Sequence, residues 1–353
     1  MDENEQNWLV AVSSTSDPTG TWNPYRVSMT NVTNRCGDYP ELGSSHYFTI
    51  MTIVVFDNSN CEASTTIVDS EVVAIDTSSM LAGNPAPGST MWTGVHDPGD
   101  SLATQISPAV QYYLRGGGQY DDAILVDSYA GGGSHVTVWR IDAQRQQLYG
   151  TRISTPRYRA PVDVAQPSDS GGFNLDPGDS RITSSMLNTY GLYAAIDTRL
   201  TSSADHKAHD GVLALRIDAD RGEEGVTSAV NITDAPNDLI NPSYAGDASG
   251  DGELTMAEGG ANTHIADLAV GLNYNGVFSR YRTVLSNSDV SLTSDCSNQR
   301  DATTCRFGDY TSIYPDPGGS NVFWTFDEYF GNVDNHGTTP GWKTRIGEYL
   351  HDS

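Results

Sequence analysis

Apolar and polar positions alternate with a period of two in segment after segment of this chain. NWLVAVSS, HYFTIMTIVVF, EVVAID, DDAILVDSY, HVTVWRID and QLYGTRIS carry the pattern first; RITSSML, GLYAAID, GVLALRID, LAVGLNY, VFSRYRTVL and NVFWTFDEY carry it later. Alternation places every second side chain on one face of an extended strand, and the β-branched and aromatic content suits a pleated surface. Gly, Pro, Asp and Asn clusters separate the segments, and no long apolar stripe of period 3.6 appears. The pattern predicts an all-β chain.

Weak self-similarity narrows the architecture. VVAIDTSSM, VTVWRIDAQ and LALRIDADR each step from a strand through Ile-Asp into a turn. CGDYPELG is echoed by FGDYTSIYPDP, and HDPGDS (96–101) by LDPGDS (175–180). Short strands in units of roughly 40–60 residues predict the blades of a β-propeller. The expected blades are four-stranded and antiparallel, about six in number with a range of about five to seven, in a single domain over 1–353. WKTRIGEYL near the C-terminus is expected to pair with a partial N-terminal unit and close the ring. A two-sheet sandwich is the structural alternative.

The first turn, SSTSDPTGTW (13–22), reads as a hairpin: Pro18 presets φ, Gly20 supplies a positive φ, Asp17 accepts backbone N–H groups, and Trp22 returns to apolar surroundings. TSDPTGTW also resembles the Asp-box of sialidase-type propellers, with one residue missing between Gly20 and Thr21. SGDGELTM (249–256) is a poorer relative. Together with GDYPELG, LDPGDSRI and RFGDYTSIYPDP…FWTFDEY…WKTRI, these segments resemble a group of secreted bacterial sialidase-like β-propellers of mostly unassigned activity. The likeness covers most of 7–348. It implies a propeller but fixes no activity, because one fold hosts many functions. Members of that group usually carry blade sequence upstream of the LVAVS region, so the resemblance implies a truncated or processed N-terminus.

Charge changes the picture of partners. The formal net charge is −26, from 45 acidic against 19 basic residues, and only Lys207 and Lys343 are lysines. Such a shell repels phosphate backbones and anionic lipid, which argues against nucleic acid and membrane partners. It suits solubility in salty water or the binding of cations. No stretch reaches the roughly 20 apolar residues of a membrane span. The four cysteines show no C-x-x-C spacing. Cys296 and Cys305 flank a short polar loop, and Cys36 with Cys61 could close the loop around HYFTIMTIVVF, so two disulfides and a secreted or cell-surface location are expected.

Several motifs could carry chemistry. DASGDGELTMAE fits a twelve-residue calcium loop, with side-chain oxygens from Asp247, Ser249 and Asp251, the carbonyl of Glu253 and the carboxylate of Glu258. Its flanks are not helical, and the same residues make a good hairpin turn. DHKAHD puts His206 and His209 in a polar loop with no third metal ligand in view, and SDSGG (168–172) lacks any triad context. A sialidase mechanism would need clustered arginines, a tyrosine nucleophile with its base, and an acid. The candidates are Arg181 and Arg306, with Arg26, Arg282 and Arg345 also near strand ends; the pairs Asp38–Tyr39 and Asp309–Tyr310; and Glu328. Duplication of the Asp–Tyr step argues for a role in packing, since a catalytic residue is normally unique. Trp92, Trp139, Trp324 and Trp342 could form a sugar-stacking platform, although a large β core needs such residues for packing. Two functions follow: an extracellular module binding glycan or protein at the channel mouth, or a glycoside hydrolase of exo-sialidase type.

Overall fold

The computed structural model describes residues 7–28, 35–57, 66–99, 101–112, 121–278, 283–293, 296, 303–317, 321–332 and 340–350. Strands dominate it, as the period-two pattern predicts, and none of its sheets is closed. The chain divides into two units. One comprises Met1–Gln111, Gly116–Asp127 and Thr137–Arg152; the other comprises Tyr112–Arg115, Ser128–Val136 and Ile153–Ser353.

In the first unit, β1 (Asn7–Ser13) and β2 (Trp22–Ser28) form a hairpin. Its turn is built as the sequence suggests, with Thr19 N donating to Asp17 Oδ1 at 2.9 Å and Ser14 Oγ to Thr21 O at 2.9 Å. Two details differ. Gly20 does not take a positive φ; a Cβ there would lie 3.3 Å from Asp17 O, so close approach explains the glycine. Trp22 stays 48% exposed, its indole N–H donating to Pro18 O.

An antiparallel meander follows: β3 (Cys36–Ser44), β4 (Phe48–Phe56), β5 (Ile67–Asp76), the five-residue α1 (Thr77–Leu81) and β6 (Ser89–Trp92). Next come β7 (Ile106–Pro108), β8 (Val110–Gln111), β9 (Ala123–Asp127), β10 (Gly132–Asp142) and β11 (Gln147–Arg159), of which β7, β9, β10 and β11 share a sheet. Alternate residues of these strands interlock in one core, where Ile50, Val72, Ile106, Leu125, Trp139 and Ile141 are buried together. Burying such side chains contributes about 1.5–3 kcal/mol each.

The second unit holds β12 (Asn174–Asp176) and two full four-stranded meanders. The first is β13 (Ser185–Asn188), β14 (Gly191–Thr201), β15 (Ala208–Asp218) and β16 (Gly225–Ile232). The second is β17 (Asp238–Gly246), β18 (Gly252–Gly260), β19 (Thr263–Leu272) and β20 (Thr283–Asn287). Then come β21 (Thr304–Arg306) and a three-stranded sheet of β22 (Ser312–Pro315), β23 (Val322–Asn332) and β24 (Pro340–Leu350). Among the described residues β24 ladders with β23 and β1 with β2; the expected pairing of WKTRIGEYL with the N-terminal segment is not among these ladders.

The repeated Ile-Asp steps have one physical role. Asp76 accepts Ser79 N, Asp142 accepts Gln144 N and Arg145 N, and Asp218 accepts Asp220 N, all at 2.8–2.9 Å. Each carboxylate ends the third strand of a meander by taking the backbone N–H groups that the turn leaves unpaired. Cys296 and Cys305 form a disulfide, and Cys36 is also disulfide-bonded; Cys61 lies outside the described residues.

Candidate functional site

The densest convergence of candidate side chains is in the second unit, around the chain from Thr304 to Thr311. β21 pairs in parallel with β12, which sets Arg306 opposite Asp176. Leu175, Cys305, Phe307, Phe330 and Ile240 pack beneath as a core cluster. Past β21 the chain turns at Gly308, where φ is +45° and a Cβ would meet Asn241 Nδ2 at 3.1 Å. Asn241 holds both sides of that turn. Its Nδ2 donates to Phe307 O at 3.3 Å, and its carbonyl accepts Thr311 Oγ1 at 2.7 Å. Asn241 itself sits at a bulge in β17 with φ +52°, and its N–H donates to the buried Asp197 carboxylate at 3.1 Å.

This clamp presents Asp309 outward. Arg306 Nε donates to Asp309 Oδ1 at 3.2 Å, and Nη2 makes a second, shorter bond to Oδ2. Asp176 lies beside them; burial raises its pKa, the backbone N–H of Gly178 opposes this, and Asp163 and Asp309 push it further up. Asp163 accepts Thr304 Oγ1 at 2.9 Å. Glu328 on β23 is raised too, by burial first and by the Asp309 charge second.

An aromatic surface adjoins these carboxylates. Trp342 of β24 stands opposite Phe330 of β23, and Thr344 stands opposite Glu328, so all four residues share one face of the sheet. The Trp342 indole lies 5.8 Å from the Phe330 ring, edge-on, and 5.5 Å from Phe307. Both phenyl rings are buried, while Trp342 is 39% exposed. A tryptophan wedged against two buried rings keeps its orientation and offers the remaining surface to solvent. The negative face of such a ring attracts the weakly positive C–H groups of a sugar, and flanking carboxylates accept sugar hydroxyls.

The sequence candidates therefore separate. Arg306, Asp309 and Glu328 come together, with Tyr310, 39% exposed, next in the chain. Arg181 is held by Asp179, with Nε to both carboxylate oxygens at 2.8 Å and Nη2 at 2.6 Å. Asp38 and Tyr39 lie in the other unit, at a bulge in β3 where Tyr39 has φ +53° and donates its N–H to Asp38 Oδ1. The two Gly-Asp-Tyr steps are thus not equivalent, since one bends a strand and the other is a loop. The backbone counterpart of Tyr39-Pro40 is Asn241-Pro242, which shares its bulge and its positive φ. Arg26 is exposed on β2 and Arg345 is on β24; Arg282 lies outside the described residues.

The twelve-residue calcium loop is not formed. Asp247, Ser249 and Asp251 lie in or beside the β17–β18 turn, but Glu253 and Glu258 belong to β18. At about 3.3 Å per residue, Glu258 is about 20 Å along the strand from the turn, too far to share an ion with Asp247. Asp247 Oδ1 instead accepts Ser249 N and Asp251 N, Asp251 Oδ1 accepts Tyr274 N, and Glu258 accepts Asn237 Nδ2. The hairpin alternative holds. Among the described residues, the carboxylates whose oxygens gather within 4.8 Å of one another are Asp218, Asp220 and Glu223. Among the described residues, His209 meets two carboxylates, Asp205 at 2.9 Å and Asp238 at 3.6 Å. In SDSGG, Asp169 takes both His264 and Ser291, while Ser170 Oγ accepts Gly172 N.

Fold and site together define an all-β protein with a half-exposed tryptophan set among carboxylates. No family model matches the sequence, and no curated protein matches it. Among solved structures, one described as a glycoside hydrolase is 10% identical, covering 99% of this chain and 92% of that one at a TM-score of 0.41. Another, described as an RGII complex, is 10% identical, covering 92% and 91% at 0.40. A protein of unknown function from Dyadobacter fermentans DSM 18053 is 13% identical, covering 90% and 80% at 0.44. Among the described residues, no helix is long and apolar enough to cross a membrane.

Proposed function

We propose that this protein is a β-propeller module of the extracellular space that binds a glycan on the Trp342 face. The succession of antiparallel meanders, β3–β6, β7 with β9–β11, β13–β16, β17–β20 and β22–β24, supports the propeller reading. In this reading the β1–β2 hairpin would belong to a further blade. The disulfides favour an oxidising compartment. A protein ligand is the other partner such a surface could take. The observation that carries the glycan reading is the seating of Trp342 against Phe307 and Phe330 beside Arg306, Asp309 and Glu328. Titration calorimetry after a glycan-array screen tests it: Trp342→Ala should weaken the best ligand at least about tenfold, the loss of roughly 1.4 kcal/mol that one stacking ring supplies. Leu42→Ala, an exposed position in the other unit, should leave it unchanged. Equal affinity in Trp342→Ala, or no glycan bound at all, rejects the reading.

A hydrolase is the second reading, favoured by one observation. Glu328 has a raised pKa next to Asp309, and a protonated acid beside a second carboxylate is what glycoside hydrolysis uses. The sialidase variant has less support, because Arg181 and Arg306 are each engaged by an aspartate. Release of fluorophore from aryl glycosides, the sialic acid conjugate included, and its loss in Glu328→Gln or Arg306→Ala would favour the enzyme.

A further inference from the structure

Building on the glycan reading of the Trp342 face, we infer that the sugar it takes carries a free, protonated amino group and that acidic sugars are turned away. The argument rests on which charges surround the platform. Glu328 shares the Trp342 face, Asp309 acts on Glu328, and Asp176 and Asp163 follow beside Asp309, against the guanidinium of Arg306 among the described residues. That guanidinium gives its Nε–Nη2 edge to Asp309, whose carboxylate offsets its charge toward an incoming acid. The remaining cations of β24 do not redress the balance. Lys343 and Arg345 alternate with Trp342 and Thr344 and so belong to the opposite face of the sheet. Lys343 lies 5.6 Å from the Tyr329 ring centroid, and Arg345 stands opposite Asp327 with its charge acting on Asp267.

Stacking by itself does not discriminate, since an indole accepts the apolar face of neutral, acidic and basic pyranoses alike. Selection must come from the rim. A uronic or sialic acid carboxylate placed on Trp342 would lie on the face of Glu328, with Asp309, Asp176 and Asp163 following in turn and the Arg306 guanidinium bound to Asp309. An ammonium group on the ring would meet the same carboxylates as partners, two of them, Asp176 and Glu328, partly withdrawn from water, where charge pairs are screened less. The overall charge of −26 adds a long-range field of the same sign.

The test is calorimetry on the full-length protein at low salt with three oligosaccharide probes of equal length. These are glucosamine oligomers with free amines, the same oligomers fully N-acetylated, and galacturonate oligomers. The free-amine probe should bind at least tenfold more tightly than the acetylated one, and galacturonate should show no binding. The gap should shrink severalfold at 0.5 M NaCl, a measurement that needs no variant. Asp309→Asn with Glu328→Gln should narrow the free-amine preference further, with circular dichroism confirming the fold. If the acetylated or acidic probe binds equally well or better and Trp342→Ala still abolishes binding, the charge selection is wrong while the glycan site stands. If no probe of any charge binds, both fall.

Discussion

Asn241 shows how much of the site depends on single residues. Its backbone is in the left-handed region, tolerable for Asn and costly for most other residues, and its three polar groups tie Asp197, Phe307 and Thr311 into one arrangement. Asn241→Ala should lose about 1–3 kcal/mol, from backbone strain together with the Phe307 bond. Asn241→Gly should lose roughly half as much, since it relieves the strain and sacrifices the bond alone. Urea denaturation measures both, and equal losses would show that the bond dominates. The Asn-Pro step was visible in the sequence, but nothing local says that it bulges a strand rather than ending one. Trp342 was likewise visible without being distinguishable from Trp139, which is 3% exposed in the first unit's core. Exposure depends on which strand lies across, information that a period-two pattern does not hold. The engagement of Arg181 by Asp179 and of Arg306 by Asp309 was within reach, being set by spacings of two and three residues.

Elements were more legible than sites. Strands follow the alternation, and the Ile-Asp steps are legible as strand exits because the cause is local: an Asp side chain reaches N–H groups two or three residues ahead. The 247–258 segment carries two readings because a ligand spacing and a hairpin spacing coincide over its first five residues; the glycines favour the hairpin. A Cβ on Gly246 would fall 2.2 Å from the Tyr193 ring, and one on Gly252 would fall 2.5 Å from Tyr244, so aromatic rings close over this turn. Farther along the same sheet, burial pushes the Asp267 carboxyl up to about 8; its bond from Ser286 opposes the rise and the nearby Asp327 charge adds to it. The folded state therefore holds a proton that the unfolded polypeptide releases near pH 4. The folded state binds more protons between those values, so stability falls as pH rises from about 4 to about 8. Asp267→Asn should flatten that decline, with wild type losing at most about 5 kcal/mol more than the variant by pH 9. Thermal melts across pH 4–9 report the difference, and parallel profiles would refute it.

On the scale of the whole molecule, net charge and apolar surface oppose each other. The face of β23 and β24 that carries Trp342 also exposes Phe326, Ile346 and Leu350, by 45%, 64% and 60%. β24 forms the outer margin of its sheet among the described residues. A flat, apolar sheet margin is a template for pairing with another polypeptide, and like charge is one means of keeping copies apart. At neutral pH, 26 net negative charges supply that separation. Near the isoelectric point of about 4.3 they vanish. The molecule should then turn cloudy within a narrow band of acidity and clear again on either side, and Ile346→Lys should close most of that band in a light-scattering titration. Purification by acid precipitation would accordingly recover stacked β24 margins in place of single, working molecules.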